Sequence, residues 1–205
     1  CGPLAKSAKD LEIALDVMAG PIEREAKGWQ LNLPSCKKTS LKEFKIAIWS
    51  DDELAPVSQD ISERCVEVGE KLASSGATVS FSARPEHDFL KAEVNYQLLL
   101  QSVMQSGMSD EEIKHIEYIA AKLEPGDDSV EAILAKGTVL SHRNWIRQNY
   151  AREQIKISWS KFFEDWDLII CPQLATTAIE HNHKKISERT ITVDNQEQRY
   201  FQQIF

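Results

Sequence analysis

Residues 44–82 read as strand, helix, strand, and that order does most to limit the folds open to this chain. Phe44-Lys45-Ile46-Ala47-Ile48-Trp49 is a short apolar run of strand character, and residues 77–82, from Ala77 to Ser82, make a second one. Between them Ile61, Cys65, Val68 and Leu72 recur at the three- and four-residue steps that place side chains on one face of a helix. Ser58 stands at the N-cap position, and Gly76 at the residue past the helix end, where a left-handed turn is needed. Two strands joined by a covering helix are expected to run parallel, because a parallel pair needs a crossover of about a dozen residues or more. The predicted fold class is therefore α/β, a sheet with helices packed on it.

The rest of the chain divides by its punctuation. From Glu86 to Glu164 the pattern is helical, in pieces at about 87–106, 110–123, 129–135 and 141–164. Ser109 and Glu112 form a capping box, Ile113, Ile116, Ala120 and Leu123 continue its stripe, and Pro125-Gly126 breaks it. Asp127-Asp128 reads as a turn leading to a cap at Ser129. The last piece carries Trp145, Ile146, Tyr150, Ile157, Phe162 and Phe163, too many large apolar side chains for a solvated helix, and these are expected to pack on the sheet. Leu168–Cys171 then makes a short strand ended by Pro172, while residues 189–193 and 199–201 flank the turn-like Asp194-Asn195. Near the start, Leu4, Ala8, Leu11, Leu15 and Met18 share a face that should be buried, with Ser7 as cap and Gly20-Pro21 as stop. Glu23 to Ser40 is a polar surface connection.

Composition narrows the partners. A formal charge of −8, with Lys and Arg intermixed among Asp and Glu, argues against nucleic acid, whose binding relies on clustered cations. No run approaches the roughly 20 apolar residues that span a bilayer, so no membrane partner is expected. The four cysteines, at 1, 36, 65 and 171, form no Cys-x-x-Cys pair, and reduced structural thiols are the natural reading. Cys65 falls on the apolar helix face and Cys171 closes a strand that looks buried. A cytoplasmic chain is the expectation.

Several blocks also resemble one family. Gly2-Pro3-Leu4-Ala5-Lys6-Ser7, followed by Asp10-Leu11, Ala14-Leu15-Asp16-Val17 and Ala19-Gly20-Pro21, is similar to the helix after the catalytic core of amidase signature hydrolases. Leu41–Trp49, Phe162–Pro172, Ala178–His183 and Arg189–Asp194 resemble later stretches of the same family, so the likeness spans nearly the whole chain. It implies one partial amidase domain over 1–205: a helix and strand-helix-strand region at 1–86, a helical region at 87–164, and a strand and cleft-loop region at 165–205. The implied fold is a mixed central β-sheet covered by helices on both faces, with a long helical insertion. The implied activity is hydrolysis of a small-molecule carboxylic amide through an acyl-serine intermediate, without a cofactor. A second reading is the A subunit of a glutamyl-tRNA amidotransferase. A third is a non-catalytic binding or interaction module derived from the scaffold, and an exposed apolar surface would then permit a homo-oligomer.

The family's serine nucleophile, cis-bonded second serine and lysine sit on a Gly/Ser-rich stretch, since converging backbone N–H groups on an oxyanion needs a tight glycine-rich turn. This chain's eight glycines are widely dispersed, and no such stretch occurs in it. No catalytic residue is assigned here. The segment is expected upstream of the first helix, whose apolar face would pack on it, and the present chain is expected to be inactive alone. Ser35-x-x-Lys38 and Ser158-x-x-Lys161 match a serine–lysine spacing used elsewhere, but the companion motifs are missing. His181 and His183 supply too few ligands for zinc, so no metal is assigned, and His115 and His142 are lone helix histidines. Asp51-Asp52-Glu53 follows a strand end, where α/β proteins often bind ligands, although a short acidic run is commonly a solvated loop. The best candidates are Pro172, Gln173 and Leu174, which leave a central strand as a loop; the resemblance implies that this loop borders the substrate entrance.

Overall fold

The computed structural model describes residues 2–124, 126–127, 129–185 and 188–200. The expected turn residues Pro125 and Asp128, Phe201 of the expected last strand, and Cys1 lie outside these. The chain divides into two compact units, Cys1–Lys38 and Thr39–Phe205.

The first unit holds one helix, α1 (Ala8–Met18). Ser7 caps it by accepting the Asp10 N–H at 3.1 Å, and Gly20 follows its end at φ 139°. The apolar face expected to be buried is exposed instead: Leu15 keeps 52% and Met18 64% of its surface. The remainder of this unit, irregular and exposed chain, does not cover it.

The second unit is built around β1 (Lys45–Ile48), which pairs in parallel with β2 (Thr78–Ser80) on one side and β3 (Leu168–Ile170) on the other. The helix predicted between the first two strands is α2 (Gln59–Ser74). Ile46, Ala47 and Ile48 are all buried, so both faces of β1 are covered, since successive side chains point to opposite faces. Cys65 of α2 and Ala77 join Ile46 and Ile48 in the core, with Phe44, Leu72, Val79 and Ile170 packed around them. Gly69 lets α2 approach this closely: a Cβ there would come within 2.8 Å of both Ile48 and Phe81. Gly76 ends the helix at φ 100°, the left-handed stop that its position predicted.

Four helices fill the predicted helical region: α3 (Phe89–Met104), α4 (Asp110–Ala120), α5 (Val130–Thr138) and α6 (His142–Asp165). Asp88, Ser109, Ser129 and Ser141 cap them, Ser109 and Glu112 forming the expected capping box. Local hydrogen-bond chemistry therefore fixes each start. The aromatic stripe of α6 behaves differently from expectation. Phe162 is buried, whereas Ile146, Ile157 and Phe163 are exposed and Tyr150 keeps 69% of its surface. The helix is 24 residues long and lies along α3, where Asn95 Nδ2 donates to the Gln148 carbonyl at 2.8 Å, so most of its length never reaches the short strands.

The antiparallel element is a separate hairpin, β4 (Thr190–Val193) with β5 (Gln196–Arg199). Asp194 and Asn195 turn it with φ of 47° and 64°, the left-handed pair that a two-residue hairpin turn requires. Ile191 and Val193 bury one side of it against Ala175. Among the described residues no helix is long and apolar enough to cross a membrane.

Candidate functional site

β1 and β3 are parallel neighbours, so their carboxyl ends leave the sheet at the same edge. From β1 the chain runs into Trp49, Asp51 and Asp52; from β3 it runs into Cys171, Pro172, Gln173 and Leu174. A cleft of about 640 Å³ is lined by residues from both exits. Phe89 of α3 and Trp159 of α6 also line it. The edge beyond strand carboxyl ends is the general ligand position in α/β sheets.

Trp49 is held from three directions. Its indole N–H donates to Asp52 Oδ2 at 3.0 Å, and Asp52 Oδ1 accepts the Leu54 N–H at 2.9 Å. Phe89 meets the ring edge-on at 4.8 Å, while the Arg84 guanidinium lies 4.5 Å from the ring centroid. Arg84 donates through Nη1 to the carbonyls of Ile48 (3.1 Å) and Ala83 (2.8 Å). Burial pulls this guanidinium below its ordinary value and the Asp52 charge acts in the opposite sense, but an arginine stays charged at any ordinary pH.

The second wall is set by His87, whose ring packs 4.3 Å from Phe89 and 6.1 Å from Trp159. Ser158 Oγ donates to the Glu86 carbonyl at 2.9 Å and lies 3.1 Å from His87 Nδ1. A hydroxyl has one proton, so Nδ1 carries a hydrogen and donates it to Ser158. This is the reverse of a base activating a nucleophile, and the Ser158-x-x-Lys161 spacing gains no catalytic support from it.

Burial also pushes the His87 pKa below its ordinary value, with Asp88 opposing the shift. The unfolded chain then binds this proton more readily than the folded one, so stability is full above about pH 6.5 and falls as pH drops through the lower, folded value. Urea unfolding of the parent and of His87→Asn between neutral and mildly acidic pH checks this, and the asparagine variant is expected to lose less stability across that range. Equal slopes would show that His87 does not couple folding to pH.

The loop after β3 is fixed at its far end. The Ser58 N–H donates to the Ala175 carbonyl at 2.7 Å, and the Gln59 N–H donates to both Asp194 carboxylate oxygens at 3.0 Å. Ser58 is thus at the N-cap of α2 but does not cap it; its hydroxyl donates to Asp60 Oδ1, and Asp194 does the capping. Cys171 is exposed and lines the cleft rather than closing a buried strand. Cys65 is the buried thiol, pushed up by burial and further by Cys171.

Of the residues singled out in the sequence, Asp51, Asp52, Pro172, Gln173 and Leu174 come together on the cleft, and Glu53 does not line it. His181 lies on a second, polar cleft of about 460 Å³ beside Thr176, Asn182 and Tyr200. Ser35, His115, His142 and His183 are exposed. Among the described residues no group of at least three His, Cys, Asp or Glu side chains is placed to hold a metal. Sequence reasoning missed Trp49, Arg84, His87, Phe89 and Trp159. Only Trp49 carried a usable signal, because it directly follows a predicted central strand.

The sequence model of the family described as Amidase matches residues 1–200. The A subunit of the glutamyl-tRNA(Gln) amidotransferase of Enterococcus faecalis is 23% identical over 86% of this chain and 40% of its own length. Its counterpart of the same name in Saccharolobus solfataricus is 37% identical over 38% of this chain and 16% of its own. The chain thus spans well under half the length of these relatives. A solved structure of a fatty acid amide hydrolase superposes with a TM-score of 0.56 at 19% identity, covering 86% of this chain and 31% of that one, a likeness of fold.

Proposed function

The chain belongs to the Amidase family, and from that premise we propose that it forms the cleft-bearing part of a carboxylic amide hydrolase. The observation that carries this reading is the position of the cleft, at the shared carboxyl edge of β1 and β3. In the proposed reaction a serine hydroxyl attacks the amide carbonyl, the C–N bond breaks, and ammonia or an amine leaves with the serine's proton. Water then attacks the acyl-serine, releasing the carboxylic acid and restoring the hydroxyl. The present residues bind and orient the amide: Pro172, Gln173 and Leu174 border it, and Trp49, Phe89 and Trp159 exclude water from its apolar part. The serine, cis-serine and lysine are supplied by a Gly/Ser-rich segment that is not among these 205 residues.

The relatives' names support a second reading, in which the ammonia released from glutamine serves a partner enzyme. The full polypeptide encoded by the reading frame that holds these residues separates the readings. It is expected to release ammonia from small uncharged amides and to take a fluorophosphonate label on a serine outside residues 1–205, while the 205-residue chain alone takes none. Glutamine turnover that depends on a partner and charged tRNA would favour the amidotransferase. Absence of labelling and turnover in the full polypeptide would leave the binding-module reading. Stoichiometric labelling of the isolated chain would overturn our placement of the nucleophile.

A further inference from the structure

We infer that the cleft between the β1 and β3 exits is built for an amide whose apolar body carries a positive charge, and that it disfavours carboxylate-bearing amides. The inference rests on the reading of this cleft as the substrate site and names the class of substrate.

Aromatic surface and charge sign carry it. Trp49, Phe89 and Trp159 line the cleft, with Arg84 already over one face of Trp49. The faces of such rings attract organic cations, most strongly where water is excluded. Every charged side chain among the described lining residues is acidic: Asp51, Asp52 and Glu93. Arg84 does not line the cavity; it lies on Trp49, and its Nη1 is committed to the Ile48 and Ala83 carbonyls. Asp52 is likewise committed to the indole N–H and to the Leu54 N–H, yet its charge remains. Asp51 and Glu93 are exposed at the cleft. A clefted, low-dielectric wall focuses the field of such charges inward. An anion entering this space meets carboxylates with no lysine, arginine or histidine among the described lining residues to balance it.

The sign of the preference bears on the two catalytic readings. Glutamine carries an α-carboxylate that a binding site must neutralise or leave in water, and this lining supplies no described cation to do so. A cationic amide needs no such partner.

Three probes of nearly equal shape test the inference on the full polypeptide that holds these residues: para-aminomethylbenzamide (cationic), para-methylbenzamide (neutral) and para-carbamoylbenzoate (anionic). Binding is read by quenching of intrinsic tryptophan fluorescence and by calorimetry, so the result does not depend on turnover. The expected order is cation, then neutral amide, then anion, with about tenfold between the extremes at low salt and less at high salt. The double variant Asp51→Asn/Glu93→Gln should bring cation and anion to within about twofold, because each substitution keeps the shape and removes one charge. Equal or tighter binding of the anion, or no binding of any probe, overturns the inference. Unchanged selectivity in the double variant overturns it too. Failure of the amidase reading shows separately, as absent labelling and turnover in the full polypeptide.

Discussion

Ile48→Ala is expected to lower the stability of the Thr39–Phe205 unit by about 2–5 kcal/mol, the range for truncating a large aliphatic side chain in a closed core. Ile48 is fully buried on the central strand, and α2 is held against it by the glycine at 69. That close fit sets the size of the effect. The neighbours cannot simply slide in, since β1 is hydrogen-bonded to a strand on each side. The loss also reaches the cleft, because Trp49 is the next residue and Arg84 bonds the Ile48 carbonyl. Urea unfolding followed by both far-ultraviolet dichroism and tryptophan fluorescence measures it. A shift under about 1 kcal/mol, with a cleft unchanged toward its ligand, would mean that the β1 layer tolerates a void.

Gly137→Ala is the second large effect, and here the sign needs deciding. Alanine in place of glycine improves helix propensity by up to about 1 kcal/mol, less near a helix end. Against this, the new Cβ would lie 2.8 Å from Gln101 Cβ, 3.1 Å from the Leu98 carbonyl oxygen and 3.2 Å from Leu98 Cα. These are backbone and near-backbone atoms, so no side-chain rotation relieves the contact; α3 and α5 must separate. Overpacking of this kind costs about 1–3 kcal/mol, and destabilisation should win. Gly107→Ala is the control, since nothing lies within 4 Å of its added Cβ. If the two variants unfold at the same urea concentration, the α3–α5 contact is looser than described.

The elements legible in the sequence were those whose signals are local. Serine caps at 109 and 129 fixed helix starts, Gly76 fixed a stop, and Asp194-Asn195 marked a hairpin turn that the backbone angles bear out. Periodicity misled where length outran the partner. The α6 stripe was regular enough to suggest burial throughout, but strands of three and four residues cannot cover a 24-residue helix. The candidate loop at 172–174 and the acidic run at 51–53 were each readable as strand exits, whereas their meeting across one cleft, with 172–174 as the opposite wall, was not. That wall exists because β3 pairs with β1 across more than a hundred residues, and nothing near Trp49 announces which strand will lie beside it. Phe89 and Trp159 sit inside a helical pattern, and nothing in that pattern marks them as cleft residues.

Asp194 gives the rim of the cleft an unusual dependence. A helix start is ordinarily completed by the residue just before it, yet the carboxylate on the Gln59 N–H comes from 135 positions along the chain. The first turn of α2 and the β4–β5 turn are therefore joined by hydrogen bonds, with the Ala175 carbonyl tied in through Ser58. A protease cut or a bound partner at the hairpin would be felt at the start of α2, where the preceding residue Val57 lines the cleft.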